Sequence, residues 1–267
     1  MQIFLNHQNN PVRPSVFNRA FQFGDAHFTT LKIVDKQIHL FDFHLHRLKL
    51  ANNVLGFSGF DQTALVTELQ SIAAENNTCI VKVLISRGDS QRGYQVPDDI
   101  ACQVYLFVSD FHPDAFSFPN GIELALLEFR LGYQPSLAGL KHCNRLEQIL
   151  VKQEIANLGA KDGIVCGLEG ELIETSVANI FVKIDDDWCT PDLSLAGIAG
   201  VKRDWLLAKM QACGVRCSVR KISAAEIKQV QSAVICNALM DLVVVSKIGM
   251  QKLSLVESQN LIRLVNA

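Results

Sequence analysis

Between Asp110 and Asn120 the chain carries two prolines and three phenylalanines, and it loses both the alternation of a strand and the spacing of a helix. A stretch of that kind continues neither a sheet nor a helix. It predicts a surface linker between two folding units, with boundaries at 1–112, 113–120 and 121–267. Each flank is long enough to bury a core of its own. Apolar residues make up 49% and charged residues 19% of the 267, which is the balance of a globular chain rather than a disordered one.

Upstream of the linker, Ile3–Asn6 and the alternating run from Phe28 to Leu40 read as strands. Asp35-Lys36-Gln37 supplies a hairpin turn between Thr29–Val34 and Ile38–Phe41. Stretches 42–55 and 61–76 place Leu45, Leu48 and Val54, then Leu65, Leu69 and Ile72, at helical spacing. β-rich runs at 79–86 and 101–108 complete an α+β half. Downstream, a strand over Ile122–Phe129 leads through a Gly/Pro/Ser loop to a helix over 144–158 that Gly159 ends. Strands follow at 163–167 and 171–184, then a helix from Val201 to Cys213 stopped by Gly214. Strands at 215–220, 232–237 and 241–248 and a helix near 256–265 close the chain.

The net charge of −2 arises from 25 basic and 27 acidic residues without a block of one sign. Bulk electrostatic binding to nucleic acid or to an anionic membrane is disfavoured. Met1–Leu5 is cut off by the polar run Asn6–Asn10, and no apolar run approaches membrane-spanning length, so a soluble cytoplasmic protein is expected. Eight scattered cysteines without CxxC pairs suit a reducing compartment. Cys213 and Cys217 lack nearby partner ligands. His39, His44 and His46 lie on a strand end and a helix without a fitting ligand triad, which points to surface or packing roles rather than to a metal.

Three positions suggest chemistry. Lys141 ends a loop of small and apolar residues, Leu137-Ala138-Gly139-Leu140, where burial would favour the neutral amine that a Schiff-base lysine needs; taken alone, the plain alternative is a surface lysine near a helix start. Glu174 follows the turn Gly167–Gly170 and sits beside small residues that leave room for a ligand; the plain alternative is a strand-edge carboxylate in water. Gly200 stands where a helix begins, so free N–H groups and the helix dipole would face an anion, although a simple N-cap reads the same way.

Glu174, Asn179-Ile180-Phe181, Thr190 and Ile198-x-Gly200-Val201-x-Arg203 together resemble the signature of the class IV pyridoxal 5′-phosphate (PLP) enzymes, which include branched-chain and D-amino-acid aminotransferases and aminodeoxychorismate lyases. Trp188 departs from that pattern, and Ala26 in Arg19–Thr30 stands where the family usually has glycine. Ile85-Ser86-Arg87-Gly88 and Arg92-Gly93-Tyr94 resemble a substrate-binding segment. Leu137–Gln148 and Cys236-Asn237-Ala238-Leu239-Met240 resemble the lyase branch.

The resemblance implies the class IV architecture: a smaller N-terminal α/β domain, a larger C-terminal domain on a β-barrel-like core, PLP in the cleft between them, and a homodimer. It assigns cofactor attachment and proton transfer to Lys141, the pyridine nitrogen to Glu174, and the phosphate to Arg47 with the N–H groups beyond Gly200, at Val201 and Lys202, joined by Asn237 and Ala238. Thr29 or Thr30 would assist the departing pyruvate. Arg87 or Arg92, with Asn144 and Arg145, would bind substrate, one arginine reaching into the partner's site. Aminotransferases commonly carry hydroxyl residues where Lys202 and Asn237 stand, which favours lysis of aminodeoxychorismate to 4-aminobenzoate and pyruvate. An aminotransferase of the same fold is the alternative. A binding protein that has lost the cofactor is a further one, against which Arg47, Lys141, Glu174 and Gly200 all speak.

Overall fold

A computed structural model describes residues 2–5 and 14–267. The chain divides into two compact units, one comprising the residues up to Pro113 together with Lys141–Asn144, the other Asp114–Leu140 and Arg145–Ala267. The first unit contains β1 (Gln2–Leu5), α1 (Arg19–Phe23), β2 (Ala26–Val34), β3 (Gln37–Ile38), α2 (Phe41–Leu55), α3 (Gln62–Glu75), β4 (Thr78–Ser86) and β5 (Gln103–Ser109). Among the described residues these strands form one sheet in the order β1-β5-β4-β2-β3. Asn6, the expected end of the first strand, lies outside the described residues. The β2–β3 turn is made by Asp35 and Lys36, both left-handed at φ 49° and 60°, the geometry that matches strand twist in a two-residue hairpin. The second strand is shorter than expected because Phe41 already belongs to α2.

Alternation decides which face of this sheet is buried. Leu31 and Ile33 of β2 and Val81, Val83 and Ile85 of β4 pack with Leu48 of α2 and Leu65, Leu69 and Ile72 of α3. Each such side chain contributes roughly 1.5–3 kcal/mol on leaving water. Asp61 caps α3 by accepting from the Ala64 N–H at 2.9 Å.

The second unit contains β6 (Ile122–Leu131), α4 (Leu146–Asn157), β7 (Asp162–Gly167), β8 (Leu172–Thr175), β9 (Asn179–Ile184), β10 (Asp187–Pro191), α5 (Val201–Ala212), β11 (Cys217–Arg220), α6 (Ala224–Ile227), β12 (Ser232–Asn237), β13 (Asp241–Ile248), β14 (Gln251–Lys252) and α7 (Val256–Asn266). Its sheet runs β11-β10-β9-β12-β13-β6-β7-β8, with β14 beside β13. The sheet curls until its ends meet: the Leu172 N–H on β8 donates to the Ile222 carbonyl just beyond β11 at 2.8 Å. The curl encloses Ile122, Leu124, Ile164, Ile180, Val182, Ile235 and Val245, and α5 and α7 cover another face through Leu206, Met210, Leu261 and Val265.

The single strand expected over 171–184 is two. Asp162 Oδ1 accepts from the Ser176 N–H and hydroxyl at 3.1 and 2.6 Å, and the Thr175 N–H reaches Ala178 O, so the chain turns at Ser176-Val177. A buried aspartate from another strand thus overrides local strand propensity. β10 was not expected; it follows the left-handed pair Asp185-Asp186, a second two-residue turn. In the segment expected to be a linker, Pro113–Phe116 form a short 3-10 turn, and Phe116 and Phe118 pack on the core of the second unit.

Candidate active site

Lys141 is held by the first unit. β3 covers only the far end of β2, so the near half of that edge is open, and residues 141–143 pair with it. The Phe28 N–H donates to Lys141 O at 2.9 Å and the Cys143 N–H to Ala26 O at 2.8 Å. A Cβ on Gly24 would collide with the Asn144 amide, so a glycine there, at φ 65°, lets the segment seat. The half-buried Lys141 amine lies over the Phe28 ring, 4.8 Å from its centroid.

Glu174 belongs to the second unit. It is 6% exposed, which removes the reading of a solvated strand-edge carboxylate. Its Oε2 accepts from the Ile198 N–H at 3.0 Å. Asn179 ties the same loop down from β9: its Nδ2 donates to Ile198 O at 2.8 Å, and its Oδ1 accepts from the Gly200 N–H at 3.0 Å. A Cβ at position 200 would strike that oxygen. The loop before Lys141 joins this cluster through Gly139 N–H to Gly197 O at 2.9 Å and Ala199 N–H to Gly139 O at 3.0 Å. Asn179 stands inside the motif, but nothing local reveals that its partners lie near residue 200.

α5 starts at Val201 with no side-chain cap, and both Val201 and Lys202 are buried. First-turn N–H groups of a buried, uncapped helix need an acceptor, and an anion supplies one. The Lys202 side chain turns away from that role: its amine pairs with Asp241 at 2.9 Å and stacks on Trp205 at 3.6 Å from the ring centroid. Asn237 is likewise engaged within its own turn, Oδ1 accepting from the Leu239 and Met240 N–H groups at 2.9 Å and Nδ2 donating to Val177 O at 3.2 Å. Ala238 follows it, half-buried. Asp241, which sequence reasoning passed over, links this turn to the start of α5.

The remaining expected residues separate by face and by partner. Thr29 and Thr30 point to opposite sides of β2 because strand side chains alternate. Thr29 is 0% exposed and faces α2, where its hydroxyl lies 2.6 Å from His44 Nδ1 and 3.4 Å from an Arg47 guanidinium nitrogen. Thr30 shares the face of Phe28, over which the Lys141 amine sits. Burial pushes His44 down to about 3, with Arg47 adding to the effect. His46 is exposed.

Arg87 has structural duties. Its Nε meets Asp25 at 2.7 Å, and its two terminal nitrogens donate to Gly56 O and Leu55 O, closing the C-terminus of α2. Arg19 shares the same Asp25 oxygen and pins the 90–95 loop through Ser90 Oγ and the Gly93, Tyr94 and Gln95 carbonyls. Arg92, on that loop, is exposed, as is Asn144, and Arg145 precedes α4 half-buried.

A lysine amine, a buried carboxylate fixed by one N–H and a buried helix start lacking a cap match what PLP presents: an aldehyde, a basic ring nitrogen and a phosphate. The small five-stranded sheet and the large curled sheet are those of a PLP enzyme of fold type IV. The Amino-transferase class IV family matches residues 26–248, and the chain belongs to it. It is 32% identical to an aminodeoxychorismate lyase of Vibrio harveyi, over 87% of this chain and 86% of that one. It is also similar to the crystal structure of 4-amino-4-deoxychorismate lyase from Pseudomonas aeruginosa, with a TM-score of 0.90, 28% identity and 98% of each chain covered. A branched-chain amino acid aminotransferase from Escherichia coli shares the fold, with a TM-score of 0.85 at 18% identity over 98% of this chain and 91% of that one. Among the described residues no helix is long and apolar enough to cross a membrane.

Proposed function

We propose that the protein is an aminodeoxychorismate lyase, converting 4-amino-4-deoxychorismate to 4-aminobenzoate and pyruvate in folate biosynthesis. Similarity over most of the chain to two proteins named for that activity supports the reading. The observation that carries it over transamination is the pair of positions where the aminotransferase branch commonly has hydroxyls. Here Lys202 is paired with Asp241 and Asn237 closes its own turn, leaving main-chain N–H groups to serve the phosphate.

When bound, PLP supplies an electron sink for the carbon that bears the substrate nitrogen. Lys141 Nζ is its attachment point. The same Nζ would remove the proton from the amino-bearing carbon of the substrate and return one to the departing pyruvate enolate. The ring carbon–oxygen bond breaks, its electron pair leaves with the three-carbon fragment, and the ring becomes aromatic, so no oxidant or reductant is consumed. Glu174, oriented by the Ile198 N–H, pairs with the protonated ring nitrogen. Arg47 and the N–H groups of Val201, Lys202 and Ala238 hold the phosphate. Thr30, on the lysine's side of β2, replaces Thr29 as the hydroxyl that assists proton return. Arg92 takes the substrate-carboxylate role with Asn144 and Arg145, since Arg87 is engaged in the fold. A cytoplasmic homodimer completes the proposal; the eight cysteines are all unpaired, and Phe17, Phe21 and Tyr94 expose apolar surface in the first unit.

The test is incubation with aminodeoxychorismate in the absence of any keto acid. Equal release of pyruvate and 4-aminobenzoate over many turnovers is expected. No release, with keto-acid-dependent turnover of D-alanine or a branched-chain amino acid, would move the chain to the aminotransferase branch.

A further inference from the structure

Thr29, His44 and Arg47 form a hydrogen-bonded chain in the first unit. Guanidinium nitrogens donate and never accept, so the contact at 3.4 Å runs from Arg47 to Thr29 Oγ1. A hydroxyl has one proton to give, and His44 Nδ1 stands 2.6 Å from Thr29 Oγ1. Donation from Arg47 leaves Thr29 Oγ1 with its own proton and a second lone pair, so the neutral imidazole pairs with the hydroxyl in either tautomer and holds it in place. Burial keeps the ring neutral near pH 7. His44 and Arg47 lie three residues apart on one face of α2, above β2, so both reach the same threonine.

We propose that Thr29 and His44 are positioning residues that aim the Arg47 guanidinium at the cofactor phosphate. Neither touches the reacting atoms. An arginine on a helix has many rotamers, and the neutral Thr29–His44 relay orients one of its nitrogens. The inference rests on the reading of Arg47 as a phosphate ligand.

The test compares PLP with pyridoxal, which lacks the phosphate, by titrating apoenzyme prepared from the holoenzyme. Thr29→Val keeps the shape and removes the hydroxyl. It is expected to weaken PLP roughly ten-fold, the scale of one hydrogen bond to a charged group, and to leave pyridoxal unchanged. Thr29→Ser should retain PLP affinity. His44→Leu should reproduce the loss, while His44→Asn, which returns a hydrogen-bonding group near the Nδ1 position, should recover most of it. Thr29→Val added to Arg47→Met should change nothing further. Equal weakening of both ligands by Thr29→Val, or an unchanged preference for PLP in both Thr29→Val and His44→Leu while Arg47→Met loses it, overturns the relay. An unchanged preference in Arg47→Met overturns the phosphate role of Arg47 and the relay with it.

Discussion

His44 makes the first unit acid-sensitive in a way that can be calculated. In the unfolded chain a histidine titrates near 6.5, and in the fold burial pushes His44 down to about 3. Between these values the opened state binds a proton that the folded state does not, so stability is fully present above 6.5 and is lost as pH falls toward 3. From pH 7 to pH 5 the loss comes to about 2 kcal/mol, or roughly 25-fold in the opening equilibrium. The assay is hydrogen exchange of β2 and α2 amides at the two pH values, corrected for intrinsic exchange rates, in the wild type and in His44→Asn. The asparagine pairs with Thr29 but does not titrate, so the difference between the proteins isolates His44. His27, also lowered by burial, contributes the same to both and cancels. An equal pH response in the two proteins would refute the reasoning, for it would mean that His44 is protonated in the fold or stays buried when the unit opens.

Three further outcomes are expected. Borohydride reduction of the holoenzyme should fix the cofactor to the peptide containing Lys141; recovery on Lys82 or Lys161 would remove Lys141 from the site. Glu174→Gln should retain PLP while turnover falls at least a hundred-fold, the scale of a group acting on the transition state, and unchanged turnover would exclude Glu174 from the chemistry. Arg87→Gln should destabilise the protein by about 3 kcal/mol, because it leaves Asp25 and the end of α2 short of donors. Arg92→Gln should leave the melting temperature unchanged and raise KM. Thermal melts and steady-state kinetics of this pair decide which arginine serves the substrate, and the reverse pattern would return that role to Arg87.

The parts of the fold that a short window determines were legible in the sequence. β12 and β13 lie at 232–237 and 241–248 as read, and α2, α3 and α7 fall within a residue of expectation, because each buries an apolar face that repeats within its own span. Where a partner far along the chain decides, the reading failed. The Ser176 turn depends on Asp162, and α4 starts two residues late, at Leu146, because Lys141–Asn144 is drawn onto the open edge of β2. The site divides on the same line. Glu174 and Gly200 were proposed because a spaced pattern marks them and Lys141 because of its loop, whereas the contacts of Asn179 with Gly200 and of Asp241 with Lys202 span gaps that no periodicity covers.

Thr29 and Thr30 show why residue type alone could not settle a role. They are adjacent and chemically identical, and sequence reasoning treated them as interchangeable. Their separation follows from the pleat, which sends neighbouring side chains to opposite faces, together with the question of which face α2 covers. Once Leu31 and Ile33 are placed against the helices, Thr29 must share their side, and its hydroxyl can stay buried only by finding partners there, which His44 and Arg47 provide. Thr30 is then the one left on the face that carries the Phe28 ring and the Lys141 amine. The same core that stabilises the sheet thus decides which threonine shares a face with the Lys141 amine.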